Sequence, residues 1–436
     1  MIRTAYNLLY PLGFLALLPG YLERMFRRGD YRRDFGQRFA RYSPALMQRF
    51  AKGEWIWVHA VSVGELLVAL KLMETLHARH PSWQFVVSST TSTAHALALK
   101  KQTDWWVPVY TPVDIGPVVK RALRTVRPRA IILTESEMWP NFIWTAGDLR
   151  IPVVLVNARV SPRSARRYRR FAPIVAHVTR ELAAVGLQEP QDADLWEEIG
   201  VNPARLRLTG SVKYDPEADE APAQDYRPVL RSFGFTEGAP ILLGGSTHRG
   251  EEEILGAALV ALRKTHPRAR LIIVPRHVER ASEIISQFGV IGLRVGRRTV
   301  GPTKKSPDVL LVDTTGELRD WYSCADIVFI GKSLCGGGGQ NPVEAIVAGK
   351  PVLFGPEMQN FAGLAASLLD NGAASEVYNA QSIAARVSLL LAAPERRRAM
   401  DRAAAEVLDT HRGATLRTAQ LIDDVLTGSD SDAPDV

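Results

Sequence analysis

Cysteine is scarce: Cys324 and Cys335 are the only two in 436 residues. They build no disulfide framework, which argues for a reducing compartment and a fold held by its core. The nine histidines are scattered, with no His-Glu-x-x-His run and no cysteine pair, so no metal site of familiar spacing is present. Neither a short-period repeat nor a long low-complexity tract is visible. The glycine run in "SLCGGGGQNPVEAIVAGKP" (333–351) lacks the Lys and Ser or Thr that a P-loop carries after its last glycine. Hydrophobic content of 46% with 23% charged residues excludes a disordered chain, and the length suggests two domains.

What is present is concentrated positive charge. The net charge is +8, with seven arginines from Arg24 to Arg41 and six from Arg159 to Arg170. Such clusters call for a polyanionic partner: nucleic acid, acidic lipid or a phosphorylated substrate. The N-terminus narrows the choice to lipid. "AYNLLYPLGFLALLPGYL" (5–22) carries no charge, and the arginines begin just after it. Eighteen residues only just reach across a bilayer, and Pro11 and Pro19 would bend a helix there. No small-x-small cleavage site follows, so a secretory signal is a poor reading and a buried first helix a weaker one than membrane attachment. Residues 1–41 are therefore expected to anchor the chain to a membrane, with the arginines on the cytoplasmic side.

Beyond about Gly53 apolar runs alternate with helical stretches. "WIWVHAVS", "QFVVSST", "AIILTES", "PVVLVNA" and "ELAAVG" read as buried parallel strands of a domain over 42–212. The Pro- and acid-rich stretch 213–239 reads as a linker. "ILLGGST", "RLIIVPR", "VLLVDT", "IVFIGKS" and "PVLFGP" restart the pattern over 240–428, and a polar tail follows from 429. The expectation is an α/β chain of two Rossmann-like, doubly wound domains facing across a cleft.

Ligands of such sheets bind at the carboxyl ends of the strands. In the second half those ends carry Ser246 and His248, then Pro275 with Arg276, then the segment Thr315–Gly316–Glu317. The glycine run follows the next strand; Gly336 to Gly339 would let the backbone approach a ligand, and the exposed N–H groups and dipole of the helix after it would favour an anion. Asn341 suits a helix N-cap, and Glu344 lies three residues further on. That glutamate either closes a capping box or grips two ribose hydroxyls; spacing alone leaves both open. In the first half Glu65 follows "HAVSVG" in a helix's first turn, either as a dipole-facing carboxylate or as a general base. Glu135 and Glu137 end another strand, near the arginine-rich "NARVSPRSARRYRRF" that contains Arg163. The Asp192–Asp194 pair has the Asp-x-Asp form of metal-dependent sugar transferases, but it starts a surface helix where acids are ordinary.

At these residues the chain resembles the Kdo (3-deoxy-D-manno-octulosonic acid) transferases of lipopolysaccharide biosynthesis. The resemblance rests on "HAVSVGE", "ESEMWPN", "NARVSPRS", "GSVKYD", "GSTHRGEE", "VPRHVER", "DTTGEL" and "GGQNPVEA", in order along nearly the whole chain. It implies a GT-B fold and inverting transfer of Kdo from CMP-Kdo to a phosphorylated lipid A precursor of the lipid IVA type, with no metal and no cofactor. It further implies that Glu65 is the general base and that Glu135 and Lys213 stabilise the transition state. Pro275, Arg276, Thr315–Glu317, Asn341 and Glu344 would hold CMP, with Glu344 on the ribose. Nucleic acid is not an implied partner. The alternative is another GT-B enzyme using a UDP-sugar, or a nucleotide-sugar epimerase. The chain departs from the family in carrying Gln340 where a His is usual, and glycine at both 336 and 337.

Overall fold

The computed structural model describes residues 2–27, 34–160, 162–215 and 224–428, with the side chains of 15–27, 162 and 163 outside that description. The chain forms two compact units: Met1–Asp215 with His411–Val436, and Pro216–Thr410.

The first unit is built on a seven-stranded parallel sheet in the order β3-β2-β1-β4-β5-β6-β7. Its strands are β1 (Trp55–His59), β2 (Gln84–Ser89), β3 (Trp106–Tyr110), β4 (Ala130–Thr134), β5 (Val153–Ala158), β6 (Leu182–Leu187) and β7 (Leu206–Leu208). Helices cover both faces, so strands such as β1 are buried along their whole length and carry apolar residues on both sides. Chain order reverses between β1 and β4, which makes their carboxyl ends the switch point of the sheet.

The second unit repeats the plan in the order β10-β11-β9-β8-β12-β13-β14. Here the strands are β8 (Ile241–Thr247), β9 (Arg270–Pro275), β10 (Val295–Arg297), β11 (Val309–Leu311), β12 (Ile327–Ile330), β13 (Val352–Phe354) and β14 (Ala374–Glu376). Its switch point lies between β8 and β12.

The boundaries differ from those expected. Helix Ala414–Thr427 does not complete the second unit. It returns to the first, where Ala419, Leu421 and Ile422 join the apolar layer of Leu66, Met73 and Val156. Asp215 holds the return: its carboxylate accepts the N–H of Gly413 (2.8 Å), the N–H of Thr415 (2.8 Å) and the Thr415 hydroxyl (2.6 Å). Lys213 to Asp215 thus belong to the first unit, whereas helix Arg227–Ser232, inside the expected linker, belongs to the second.

The N-terminal segment is a helix, Ile2–Arg27, and among the described residues no helix is long and apolar enough to cross a membrane. Its first turns dock on the first unit. Arg3 grips Asp148 with two hydrogen bonds (2.9 and 2.6 Å), the Tyr6 hydroxyl donates to Asp114 (2.8 Å), and the Tyr6 ring meets Trp144 edge-on. The opposite face exposes Leu8, Leu9 and Leu12, the first two by 67%. Of the basic cluster, Arg38 is buried instead of facing a partner: it donates to the Thr90 carbonyl and lies over the Tyr110 ring. Arg28, Arg32 and Arg33 lie outside the described residues.

Candidate active site

Glu65 sits at the first switch point, in the opening turn of helix Val63–Arg79. The sequence Ser62-x-x-Glu65 builds a cap: the Ser62 hydroxyl accepts the Glu65 N–H (3.3 Å) and donates to the Glu65 carboxylate (2.8 Å). The other carboxylate oxygen accepts the Val61 N–H at 2.8 Å. The reading of Glu65 as a first-turn carboxylate therefore holds. The capping bonds fix a half-buried carboxylate in one rotamer at a strand end, as a general base requires.

Across the switch point β4 ends in Thr134, whose hydroxyl donates to the His59 carbonyl (2.8 Å) and lies 3.4 Å from the Glu65 carboxylate. The next residue, Glu135, turns the chain through a left-handed conformation (φ 58°). Burial pushes its carboxyl up, Glu65 adds to the rise, and Lys213 and Arg159 pull it back. On Lys213 burial acts first, pushing the ammonium down, while Glu135 and Glu65 oppose and Arg159 reinforces. Two carboxylates and two cations from the ends of β1, β4, β5 and β7 thus feel one another's charge. Lys213 stands in a turn organised by a residue whose role composition and spacing did not reveal. Asn157, fully buried at φ 53°, accepts the Ser211 hydroxyl (3.3 Å) and the Val212 N–H (3.0 Å). Asn tolerates this left-handed conformation, but nothing in the sequence marks the position as left-handed.

Glu137 joins the cluster through its pKa, raised to about 7 by burial first and then by Glu65; a hydrogen bond from Trp139 (3.1 Å) opposes. Its folded value lies above the ordinary 4.5, so the folded chain binds this proton more tightly than the unfolded chain does. Stability contributed by the neutral form is therefore present below about 4.5 and is lost as pH rises to about 7. Glu137→Gln should raise the melting temperature at pH 8 and bring no gain at pH 4. Melting scans across pH check this; a gain independent of pH would refute it.

Arg163 falls in helix Pro162–Arg170, but its side chain lies outside the described residues. Arg166, Arg167, Arg169 and Arg170 of that helix are exposed, and Arg169 pairs with Glu198 (2.9 Å). Tyr168 ties the helix to the Glu135–Glu137 loop through the Ser136 carbonyl (3.4 Å).

In the second unit the expected donor-site residues fall at the ends of β8 and β9 and in the segments that follow β8, β9, β11 and β12. Ser246 (φ 51°) is the penultimate residue of β8, and the His248 ring lies against the Ser246 carbonyl (3.1 Å). Pro275 ends β9 and is buried; Arg276 after it is exposed, its N–H bound to the Thr247 carbonyl (3.0 Å). Beyond β11, Thr315 and Gly316 are exposed, and Glu317 accepts from the Trp321 indole (3.1 Å). Glu344 is exposed, in the first turn of helix Val343–Val347.

The glycine run serves shape more than phosphate contact. Gly336 to Gly339 have φ of 92°, 67°, 106° and 68°, a path that side chains rarely follow. A Cβ at Gly339 would collide with Met358, and one at Gly338 with Asn360. The N–H groups of Gly338, Gly339 and Gln340 bind Gln359, Lys332 and Gly331 inside the protein. The helix that follows has five residues, and the Asn341 side chain accepts its Val343 N–H (3.1 Å), so the expected dipole is that of little more than one turn. Among the described residues no group of three His, Cys, Asp or Glu lies where it could hold a metal ion, the Asp192–Asp194 segment included.

Comparison with known proteins converges on one family. A family model described as 3-deoxy-D-manno-octulosonic-acid transferase matches residues 33–216, and one for group 1 glycosyl transferases matches 306–407. The chain is 33% identical over 385 residues to a 3-deoxy-D-manno-octulosonic acid transferase of Bordetella pertussis, covering 85% of this chain and 87% of that one. A transferase of the same name from Haemophilus influenzae is 29% identical over 394 residues, covering 90% and 91%. In structure the chain resembles a glycosyltransferase of Rickettsia africae (TM-score 0.55, 10% identity, 88% and 100% covered). It also resembles a UDP-GlcNAc 2-epimerase of Neisseria meningitidis (TM-score 0.53, 15% identity, 86% and 100% covered). At such identities these two show the fold alone, the GT-B arrangement of paired Rossmann-like units.

Proposed function

Because the chain belongs to the Kdo transferase family, glycosyltransferases of lipopolysaccharide biosynthesis, we propose that it moves Kdo from CMP-Kdo to a phosphorylated lipid A precursor of the lipid IVA type. The observation that carries this reading is the pair Glu65 and Glu135 at the switch point of the first sheet, with Lys213 near enough for its charge to act on both. Glu65 takes the proton of the acceptor hydroxyl as that oxygen bonds to the anomeric carbon of Kdo. The bond from that carbon to the CMP phosphate breaks on the opposite face, inverting the centre, and CMP leaves with the electron pair. Lys213 and Glu135 act on the charge that develops at the sugar. Arg276 receives the phosphate and Glu344 the ribose, with Pro275, Thr315, Gly316, Glu317 and Asn341 shaping the nucleotide site and Ser246 and His248 beside it. Arg163 and its neighbours suit acceptor phosphates. A UDP-sugar transferase or epimerase is not favoured, since its support is fold alone.

The test is transfer from pre-formed CMP-Kdo to lipid IVA in excess EDTA, with calorimetric titration of CMP beside UDP. Kdo transfer and tighter CMP binding are expected; UDP binding more tightly, without Kdo transfer, overturns the proposal.

The docked N-terminal helix suits attachment to the cytoplasmic face of the inner membrane. Tyr6 and Arg3 fix one side, leaving Leu8, Leu9 and Leu12 for lipid, and each nearby arginine adds about 1 kcal/mol of attraction to an anionic surface. Replacing the three leucines by serine should reduce sedimentation with anionic vesicles and make the remainder salt-sensitive, while activity on detergent-dispersed acceptor persists. Unchanged sedimentation in high salt would place the attachment elsewhere.

A further inference from the structure

Two adjacent glutamates after β8, Glu251 and Glu252, are both fully buried, and their partners differ in kind. Glu252 faces a cation: Arg280 donates to it at 2.9 Å, and the Thr247 hydroxyl at 3.0 Å. Glu251 has no ion-pair partner among the described residues and is surrounded by backbone N–H groups. One carboxylate oxygen accepts from His248 (2.8 Å) and Lys332 (2.7 Å), the other from Ser333 (2.9 Å) and Leu334 (3.0 Å).

Three consecutive N–H groups turned toward one point form a nest of the type that receives anions. This nest opens the loop that leads from β12 into the glycine run, Asn341 and Glu344, and Lys332 within it has the left-handed φ of 58°. The protein fills the nest with its own carboxylate. The loop is fixed at both ends of the switch point: the Gly331 N–H bonds the Gly245 carbonyl (2.8 Å), and a Cβ at Gly331 would collide with the Ser246 carbonyl. On the other side the Ser333 hydroxyl accepts the Gly355 N–H at 2.8 Å.

We propose that Glu251 is a positioning residue of the donor site, an internal anion that sets the start of the 332–341 loop so that Asn341 and Glu344 stand ready for the nucleotide. The proposal rests on the reading of that loop as the CMP site. The phosphate of the donor is then received by Arg276 and the open part of the loop, since the nest is filled.

Glu251→Gln keeps the shape but offers one acceptor oxygen to four N–H groups. If the loop then holds its place about a tenth of the time, CMP affinity falls about tenfold. The expected result is a CMP dissociation constant and a donor KM raised by about that factor, an acceptor KM within about twofold of wild type, and faster amide exchange at 332–334. A purely structural role would lower the melting temperature without separating the two KM values. A folded Glu251→Gln protein with wild-type CMP affinity overturns the inference. Should that variant not fold, Ser333→Ala, which loosens the same loop from Gly355, decides: unchanged CMP affinity there overturns it equally. Absence of CMP binding by the wild-type protein would instead overturn the reading of the site.

Discussion

Glu65→Gln is expected to slow Kdo transfer by about 10²–10⁴-fold, the range for removing a positioned base. Affinity for CMP should stay near that of the wild type, because the residues proposed to hold CMP lie in the other unit. The variant is a clean one. The Gln side chain still offers an oxygen to the Val61 N–H or the Ser62 hydroxyl, so the start of helix Val63–Arg79 keeps most of its cap. The loss should therefore appear in kcat, with the melting temperature close to wild type. Steady-state kinetics with pre-formed CMP-Kdo check this. A variant that keeps more than about a third of the rate would move the base elsewhere.

Lys213→Gln should cost about 10²–10³-fold in kcat, the magnitude for losing one preorganised donor aimed at developing charge. A second, independent sign follows from the charges around it. Lys213 pulls the Glu135 carboxyl down against burial and Glu65. Without the ammonium that carboxyl rises further, so whatever activity remains should require higher pH to reach its plateau than the wild-type enzyme does. A pH–rate profile of the variant that parallels the wild type would separate Lys213 from this cluster.

The central strands could be read from the sequence, and the edges could not. The ten apolar runs correspond to β1, β2, β4, β5, β6, β8, β9, β11, β12 and β13. The four strands that the reading passed over, β3, β7, β10 and β14, are the four sheet edges. Three of them have three residues each, and β3 ("WVPVY") carries Pro108, a residue that a strand tolerates at an edge. A buried central strand must be apolar on both faces, whereas an edge strand is under no such constraint.

The site divided along the same line. Glu65, Glu135 and Arg276 could be singled out because ligands of such sheets bind at strand ends, and the structure places all three there. Asn157 and Glu251 were not, because their partners are backbone groups distant in sequence: Val212 for one, Lys332 to Leu334 for the other. An acidic turn after a strand looks the same whether its carboxylates face water or fill a nest. The glycine run shows the reverse error. Its run of small residues could be read as room for a ligand, yet the residues are glycine because the chain path and the packing against Met358 and Asn360 demand it.

The return of helix Ala414–Thr427 to the first unit has a consequence for synthesis on the ribosome. When Asp215 emerges, the layer that will receive Ala419, Leu421 and Ile422 has no cover from that helix. It waits while Pro216–Thr410 is translated, 195 residues, or roughly 10–40 s at elongation rates of about 5–20 residues per second. The nascent first unit therefore carries an apolar seam through most of its own birth. The second unit, an uninterrupted stretch of chain, has all its strands in hand before the first can close.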